Sequence, residues 1–139
     1  MKLAVFGATG GTGRRLITQA LAADYDVRAL TRSQAKLPPS EQITAIEGNV
    51  LDPGAVSETV ENTDAVVCLL GRTPNNPPDV VSRGTRNIIE AMDDRPVSRL
   101  LVLTSMGLGS SSETVPWYVR IANATALHDL MADKARQEE

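Results

Sequence analysis

The chain has 139 residues, 42% of them apolar but only 3% aromatic, and a formal charge of −3. That is one domain's worth, with enough Val, Ile, Leu and Ala for a real core, and its charge balance offers no electrostatic basis for holding nucleic acid or an anionic membrane. A single cysteine and a single histidine exclude an internal disulfide and any multi-cysteine metal site. No apolar run reaches the ~20 residues of a membrane span. With Met1-Lys2 leading straight into a strand, the expectation is a cytoplasmic protein without a signal peptide.

Leu3, Ala4, Val5 and Phe6 form a short apolar run that suits a strand buried on both faces. Gly7-Ala8-Thr9-Gly10-Gly11-Thr12-Gly13 follows. The pattern then turns helical from about Thr12 to Ala23, with Leu16, Ile17, Ala20 and Leu21 on one side. After the turn at Asp24-Tyr25-Asp26, residues Val27 to Thr31 predict the next strand. Strand, glycine turn, helix, strand is the βαβ unit that holds a dinucleotide. In that reading Gly7 opens a tight turn, Gly10 removes a side chain where backbone meets a pyrophosphate, and Gly13 lets helix and sheet pack closely. The bare amides and dipole at the helix start favour phosphate charge. The spacing is GxxGxxG rather than GxGxxG, so the flanking strand and helix carry the assignment against an ordinary flexible turn.

The second strand ends in Thr31-Arg32-Ser33, the position that chooses between cofactors. A site built for NAD usually places Asp or Glu here, on the ribose hydroxyls. Arg32 stands there instead, with Lys36 four residues on. A guanidinium pairs with a 2′-phosphate in forked geometry, so NADP(H) is preferred over NAD(H); the plain alternative for both cations is solvated surface.

Pro38-Pro39-Ser40 reads as a turn and Ile43 to Gly48 as the third strand. In the loop that follows, Asn49 is placed to bond an adenine edge, although Asn is common in turns without any ligand. A short helix from about Gly54 to Glu61 leads to the fourth strand, Ala65 to Leu70, in which Cys68 reads as a small buried hydrophobe. In a doubly wound sheet the strand order reverses between the first and fourth strands, and ligands bind in that crevice. Gly71 then lies opposite the glycine turn, with the Pro- and Asn-rich segment through Pro78 looping over it. A helix over about Val80 to Met92 carries Val81, Thr85, Ile88, Ile89 and Met92 on one face. The fifth strand, Arg99 to Ser105, ends in the hydroxyls of Thr104 and Ser105 on the ligand side. Gly107, Gly109 and the serines at 110–112 supply a crossover. A last helix, about Tyr118 to Glu138, sets Asn123, Leu127, Leu130, Met131 and Lys134 along one stripe, with His128 beside it as an ordinary helix residue. The prediction is one α/β domain over 1–139, a Rossmann-type doubly wound parallel sheet of five strands in the order 3-2-1-4-5, helices on both faces.

VFGATGGTG with VRALTR, then GNVLDP, DAVVCLLG, GTRNIIEAM, LLVLTSMG and the ADKARQEE tail resemble an atypical short-chain dehydrogenase/reductase across nearly the whole chain. Within that class the likeness is to the NAD(P)-binding, NmrA-like proteins and the biliverdin-IXβ reductase/flavin reductase group. The resemblance implies NADPH binding through Gly7, Thr9, Gly10, Gly11, Thr12, Gly13, Arg32, Asn49, Leu70, Gly71 and Thr104, with Ser105 near the nicotinamide. Lys134 falls where NmrA-like and related plant reductases often carry a lysine, fixing the ribose or steering charge. The implied activity is hydride transfer from NADPH to a flavin, quinone or tetrapyrrole-like acceptor, with Ser105 and Lys134 as the catalytic candidates and solvent as the alternative proton source. The rival reading is a non-catalytic NADP(H) sensor that recruits a protein partner; a sugar-nucleotide epimerase or dehydratase is disfavoured by length and by the missing tyrosine. Two departures stand out. The YxxxK pair of standard members is absent, since Tyr118 is followed four residues later by Ala122. Relatives also run on past the position of Glu139 into a sixth strand, so about a third of the usual domain is expected to be missing, and full activity is expected to need it.

Overall fold

The computed structural model of the protein describes residues 1–73, 76–104 and 128–138. Five parallel strands, β1 (Lys2–Phe6), β2 (Asp26–Thr31), β3 (Ile43–Glu47), β4 (Ala65–Cys68) and β5 (Leu100–Val102), form one sheet in the order β3-β2-β1-β4-β5. The order predicted from sequence is the one observed. The helices are α1 (Gly11–Ala22), α2 (Pro53–Val60), α3 (Val80–Asp93) and α4 (His128–Glu138), with a short 3-10 turn at Gln34–Lys36. Strand ends are shorter than predicted: Leu69 and Leu70 lie past β4, and Leu103 and Thr104 past β5. Leu69 N still donates to Phe6 O at 2.8 Å and Leu103 N to Cys68 O at 2.9 Å, and these four residues line the sheet's carboxyl edge. The stretch 118–127, expected to begin the last helix, lies outside the described residues, as does Ser105.

Alternation along the central strands explains why both faces are covered. Ala4 and Phe6 of β1, Leu30 of β2 and Val66 and Cys68 of β4 face one way and bury against Val56, Val60, Val81 and Ile88 of α2 and α3. Leu3 and Val5, with Val27, Ala29 and Ala65, face the other way and bury against Ile17 and Ala20 of α1. Burial of a side chain such as Phe6, Ile17 or Ile88, each fully enclosed, contributes about 1.5–3 kcal/mol. Ile89, expected on the inner face of α3, is instead 44% exposed, because Gly84, Thr85 and Ala91 complete that face.

Capping differs from helix to helix. At α2, Asp52 Oδ1 accepts from Gly54 N at 2.9 Å with Pro53 in the first turn, an ordinary N-cap. At α3 the preceding Asp79 makes no side-chain cap. The cap comes from another helix: Asp133 of α4, fully buried, accepts from Val81 N at 2.8 Å, Ser82 N at 3.2 Å and Ser82 Oγ at 2.5 Å. A buried carboxylate thereby meets three donors and a helix dipole, which pins α4 to the start of α3.

Candidate functional site

The sheet's carboxyl edge opens into a cleft of about 560 Å³ between the ends of β1 and β4, where the strand order reverses. Its floor is the turn between β1 and α1. Gly7 has φ +85°, and a Cβ there would sit 2.5 Å from Leu69 O, so no other residue fits. Gly10 N donates to Gly7 O at 3.1 Å, closing the turn. A Cβ on Gly13 would lie 2.2 Å from Gly7 O and 2.7 Å from Ala8 O, so this glycine sets how closely α1 approaches the strand. The start of α1 has neither a capping side chain nor an acid in its first turn. Its amides therefore face the cleft unserved by side chains, with the positive end of the helix dipole behind them. Gly10 lines the same cavity, and a Cβ there would meet only Gly7 O, at 3.4 Å. The absent side chain thus leaves room above the amides, a cradle that fits a pyrophosphate.

The cleft walls come from the ends of the other strands. At β2, Thr31 Oγ1 donates to Ser33 O at 2.9 Å and meets Ser33 N at 3.1 Å. That turn projects Arg32 outward, and its Nη1 donates to Asn76 Oδ1 at 3.0 Å across the cleft mouth. After β3, Asn49 Oδ1 accepts from Leu51 N at 3.0 Å, so its carbonyl shapes a turn at the cleft wall. Val50 O accepts from Asn87 Nδ2 at 2.9 Å, tying this loop to α3. After β4 and β5, Leu69, Leu70, Gly71, Leu103 and Thr104 complete the lining. No atom would lie within 4 Å of a Cβ on Gly71, so its bareness widens the cleft.

Of the residues singled out from sequence, Gly7, Thr9, Gly10, Gly11, Thr12, Gly13, Arg32, Asn49, Leu70, Gly71, Thr104 and Lys134 all line this one cavity. Lys36 does not; it closes the 3-10 turn as an exposed side chain outside the described lining. Ser105 lies outside the described residues. Arg72, Thr73 and Asn76 line the cleft as well, and sequence reasoning missed them individually while placing their loop over the site.

Lys134 is 4% exposed. Its Nζ donates to Leu70 O at 3.0 Å, Leu103 O at 2.6 Å and Gln137 Oε1 at 3.1 Å. All three N–H directions are thereby spent on protein acceptors, and the side chain bolts α4 to the ends of β4 and β5. Donating to a ribose hydroxyl requires exchanging one of these bonds. Burial pulls its pKa below the ordinary lysine value, partly offset by the nearby Cys68, Asp133 and Glu138. Gln137 Nε2 in turn donates to Thr85 Oγ1 at 2.8 Å and approaches Cys68 Sγ at 3.7 Å. Burial pushes the Cys68 thiol up, against smaller lowering by its hydrogen bonds and by Lys134. It is a protonated, enclosed side chain, consistent with a packing role.

Among the described lining residues the ionisable groups are Arg32, Arg72 and Lys134, with no Asp, Glu, His, Tyr or Cys beside them. Arg32 and Lys134 thus bring positive charge to one cleft of a chain whose formal charge is −3. Low-dielectric walls concentrate such a field and favour a polyanion.

Comparison with known proteins agrees with this geometry. Oxidoreductase aflX of Aspergillus parasiticus is 27% identical over 99% of the chain and 58% of its own length. ChuY, an anaerobillin reductase from Escherichia coli O157:H7, superposes with a TM-score of 0.75 at 21% identity, covering 97% of this chain and 65% of ChuY. A wide-type short-chain dehydrogenase/reductase from Veillonella parvula, solved with NADP, gives 0.72 at 16% identity over 99% and 61% of the respective chains. The chain therefore spans roughly three-fifths of the proteins it resembles. The sequence signature of the NAD(P)H-binding family matches residues 7–139. With the glycine cradle at the switch point of a five-stranded parallel sheet, the chain belongs to that NAD(P)H-binding family and shares its fold with these solved reductases.

Proposed function

We propose that the protein is an NADPH-dependent reductase that passes a hydride to a flavin, quinone or tetrapyrrole-like acceptor. The observation that carries the proposal is the placing of Arg32 at one end of a cleft built around bare helix amides, where an NAD site would carry an acid. That arrangement suits a ligand with a pyrophosphate in the middle and a further phosphate at the adenosine end. The relatives named above as an oxidoreductase and a reductase support the same reading.

When bound, the reduced nicotinamide supplies the hydride, and the protein's task is to aim it and exclude competing reactions. The α1 amides hold the pyrophosphate, and Gly10 lets it come close. Arg32 takes the 2′-phosphate; one charge-assisted bond of about 1.5–3 kcal/mol gives about a 10- to 100-fold preference for NADPH over NADH. Leu69, Leu70, Gly71 and Thr104 form the far end of the cleft, beside the expected nicotinamide position. There Lys134 holds the Leu70 and Leu103 carbonyls, and its buried charge raises the local potential. Proton delivery falls to solvent or to Ser105.

A second reading, an NADP(H) sensor without turnover, is favoured by one observation: Lys134, the catalytic candidate among the described lining residues, has spent its three bonds within the protein. The experiment is a calorimetric titration with NADPH and NADH, followed by NADPH oxidation at 340 nm with flavin, quinone and bilin acceptors. Binding with turnover supports the reductase; binding with no turnover on any acceptor supports the sensor. Absence of binding to either nucleotide overturns both.

A further inference from the structure

We propose that Asn76 is a second determinant of cofactor choice, acting with Arg32 on the 2′-phosphate; this rests on the NADP reading above. The two residues are 44 apart in sequence, one after β2 and the other after β4, and they meet across the mouth of the cleft with Arg32 Nη1 to Asn76 Oδ1 at 3.0 Å. Both line the same cavity. Asn76 is itself fixed: its main-chain N–H donates to Thr73 O at 3.0 Å, and the side chain is half-buried.

The polarity of this contact decides what is left over. A guanidinium only donates, so Asn76 must present its carbonyl oxygen to Arg32 and turn its NH2 group away from it. The contact holds Arg32 in one orientation, which lowers the entropy lost when the fork closes on a phosphate. It spends one of five guanidinium N–H groups and leaves the others for a ligand. The Asn76 amide adds two donors of its own beside them. The pair therefore builds an anion site at the adenosine end from two strand ends, and any 2′-phosphate there meets donors from both walls.

The same geometry explains why the residue is an amide. Aspartate, with the same shape, would accept from Arg32 equally well. Its charge would also neutralise the guanidinium and repel a phosphate, the discrimination that an acid provides in NAD sites. The choice between amide and carboxylate at 76 thus sets whether the preference for the phosphorylated cofactor is kept or cancelled.

The test measures Kd for NADPH and NADH by calorimetry with the unmodified chain, Asn76→Ala, Asn76→Asp, Arg32→Ala and the Arg32→Ala/Asn76→Ala double variant. Asn76→Asp is expected to weaken NADPH about 10- to 100-fold, the worth of one charge-assisted bond, and to leave NADH within about twofold. Asn76→Ala is expected to lower the NADPH preference about three- to tenfold, and by less once Arg32 is gone, since its orienting effect needs a guanidinium to act on. If the unmodified chain prefers NADPH and both Asn76 variants keep that preference, the inference is overturned while the cofactor reading survives. Equal affinities in the unmodified chain overturn the cofactor reading and this inference with it. Thermal melting of each variant within about 2 °C of the parent establishes that the fold is intact.

Discussion

Gly10 and Gly13 of the first turn have different physical jobs, and alanine at each separates ligand binding from folding. Gly10 is the informative one. Its φ of −72° and ψ of 168° suit any residue, and an added Cβ would come no nearer than 3.4 Å to Gly7 O. Alanine is a weaker N-cap than glycine, a loss offset by the smaller entropy of the unfolded chain, so Gly10→Ala is expected to stay within about 1 kcal/mol of the parent. For a domain this size that is a shift of about 3–5 °C in Tm. The new methyl group stands over the amides at the start of α1. A pyrophosphate pushed off even one of them loses about 1.5–3 kcal/mol, a 10- to 100-fold weaker Kd. Gly13→Ala is the opposite case: 2.2 Å to Gly7 O is no real contact distance, so the turn must move, at about 3 kcal/mol or more. The assay is NADPH fluorescence titration beside thermal melts. Unchanged affinity in Gly10→Ala would refute the placement of the pyrophosphate, and an unperturbed Tm in Gly13→Ala would refute the close packing of α1.

Other outcomes follow from the buried polar groups. Lys134→Met strands the Leu70 and Leu103 carbonyls at about 1–3 kcal/mol each, against relief from burying a charge; a net loss of about 2 kcal/mol is expected in urea melts. Because the folded Lys134 has a lowered pKa, the unfolded chain binds its proton more tightly. Lys134 therefore adds stability as pH rises from its folded pKa towards the ordinary value of 10.5. The stability gap between the parent and Lys134→Met should widen over that window, whereas Cys68, with a raised pKa, destabilises both proteins as its unfolded thiol ionises. A gap that is flat with pH would show that the lysine is not desolvated. Asp133→Ala removes three hydrogen bonds and the cap of α3, with an expected loss of about 2–4 kcal/mol. A loss under about 0.5 kcal/mol would mean that α3 is capped by something else. Arg32→Ala should bring the Kd values for NADPH and NADH together, and a preserved gap would move the 2′-phosphate site elsewhere.

The fold was legible because the signals agreed at every level. The run Leu3 to Phe6, the glycine turn and the Ile17–Ala20 face point to one βαβ unit, and Val66 to Cys68 reads as a strand buried on both sides. The cleft was legible for the same reason, since ligand positions in such a sheet follow from where strands end. What sequence hid lies in pairings between distant segments. Asp133 is an acid on a helix, and nothing local says that it caps another helix, although Asp79 and its neighbours lack a cap of their own. Lys134 was visible as a cation on an apolar stripe, yet its acceptors are main-chain carbonyls, which leave no trace in side-chain identity. Ile89 has helical spacing with Ile88 but sits on the rim, because the small residues Gly84 and Ala91 let α3 pack closer on its other edge. Lys36 shares the charge of Arg32 and not its direction; the 3-10 turn carries it away.

The positive charge that Arg32 and Lys134 bring to one opening has a practical corollary at the bench. A hollow that holds phosphates as proposed would not distinguish the nucleotide's own from those of the buffer. Inorganic phosphate, sulfate or pyrophosphate should compete for the same ground, and millimolar amounts would inflate any measured dissociation constant. Ionic strength should also slow capture of the dinucleotide, because screening shortens the reach of these cations to about 8 Å at physiological salt. Titrations in dilute Tris or HEPES chloride should therefore give tighter values than the same titrations in phosphate-buffered saline.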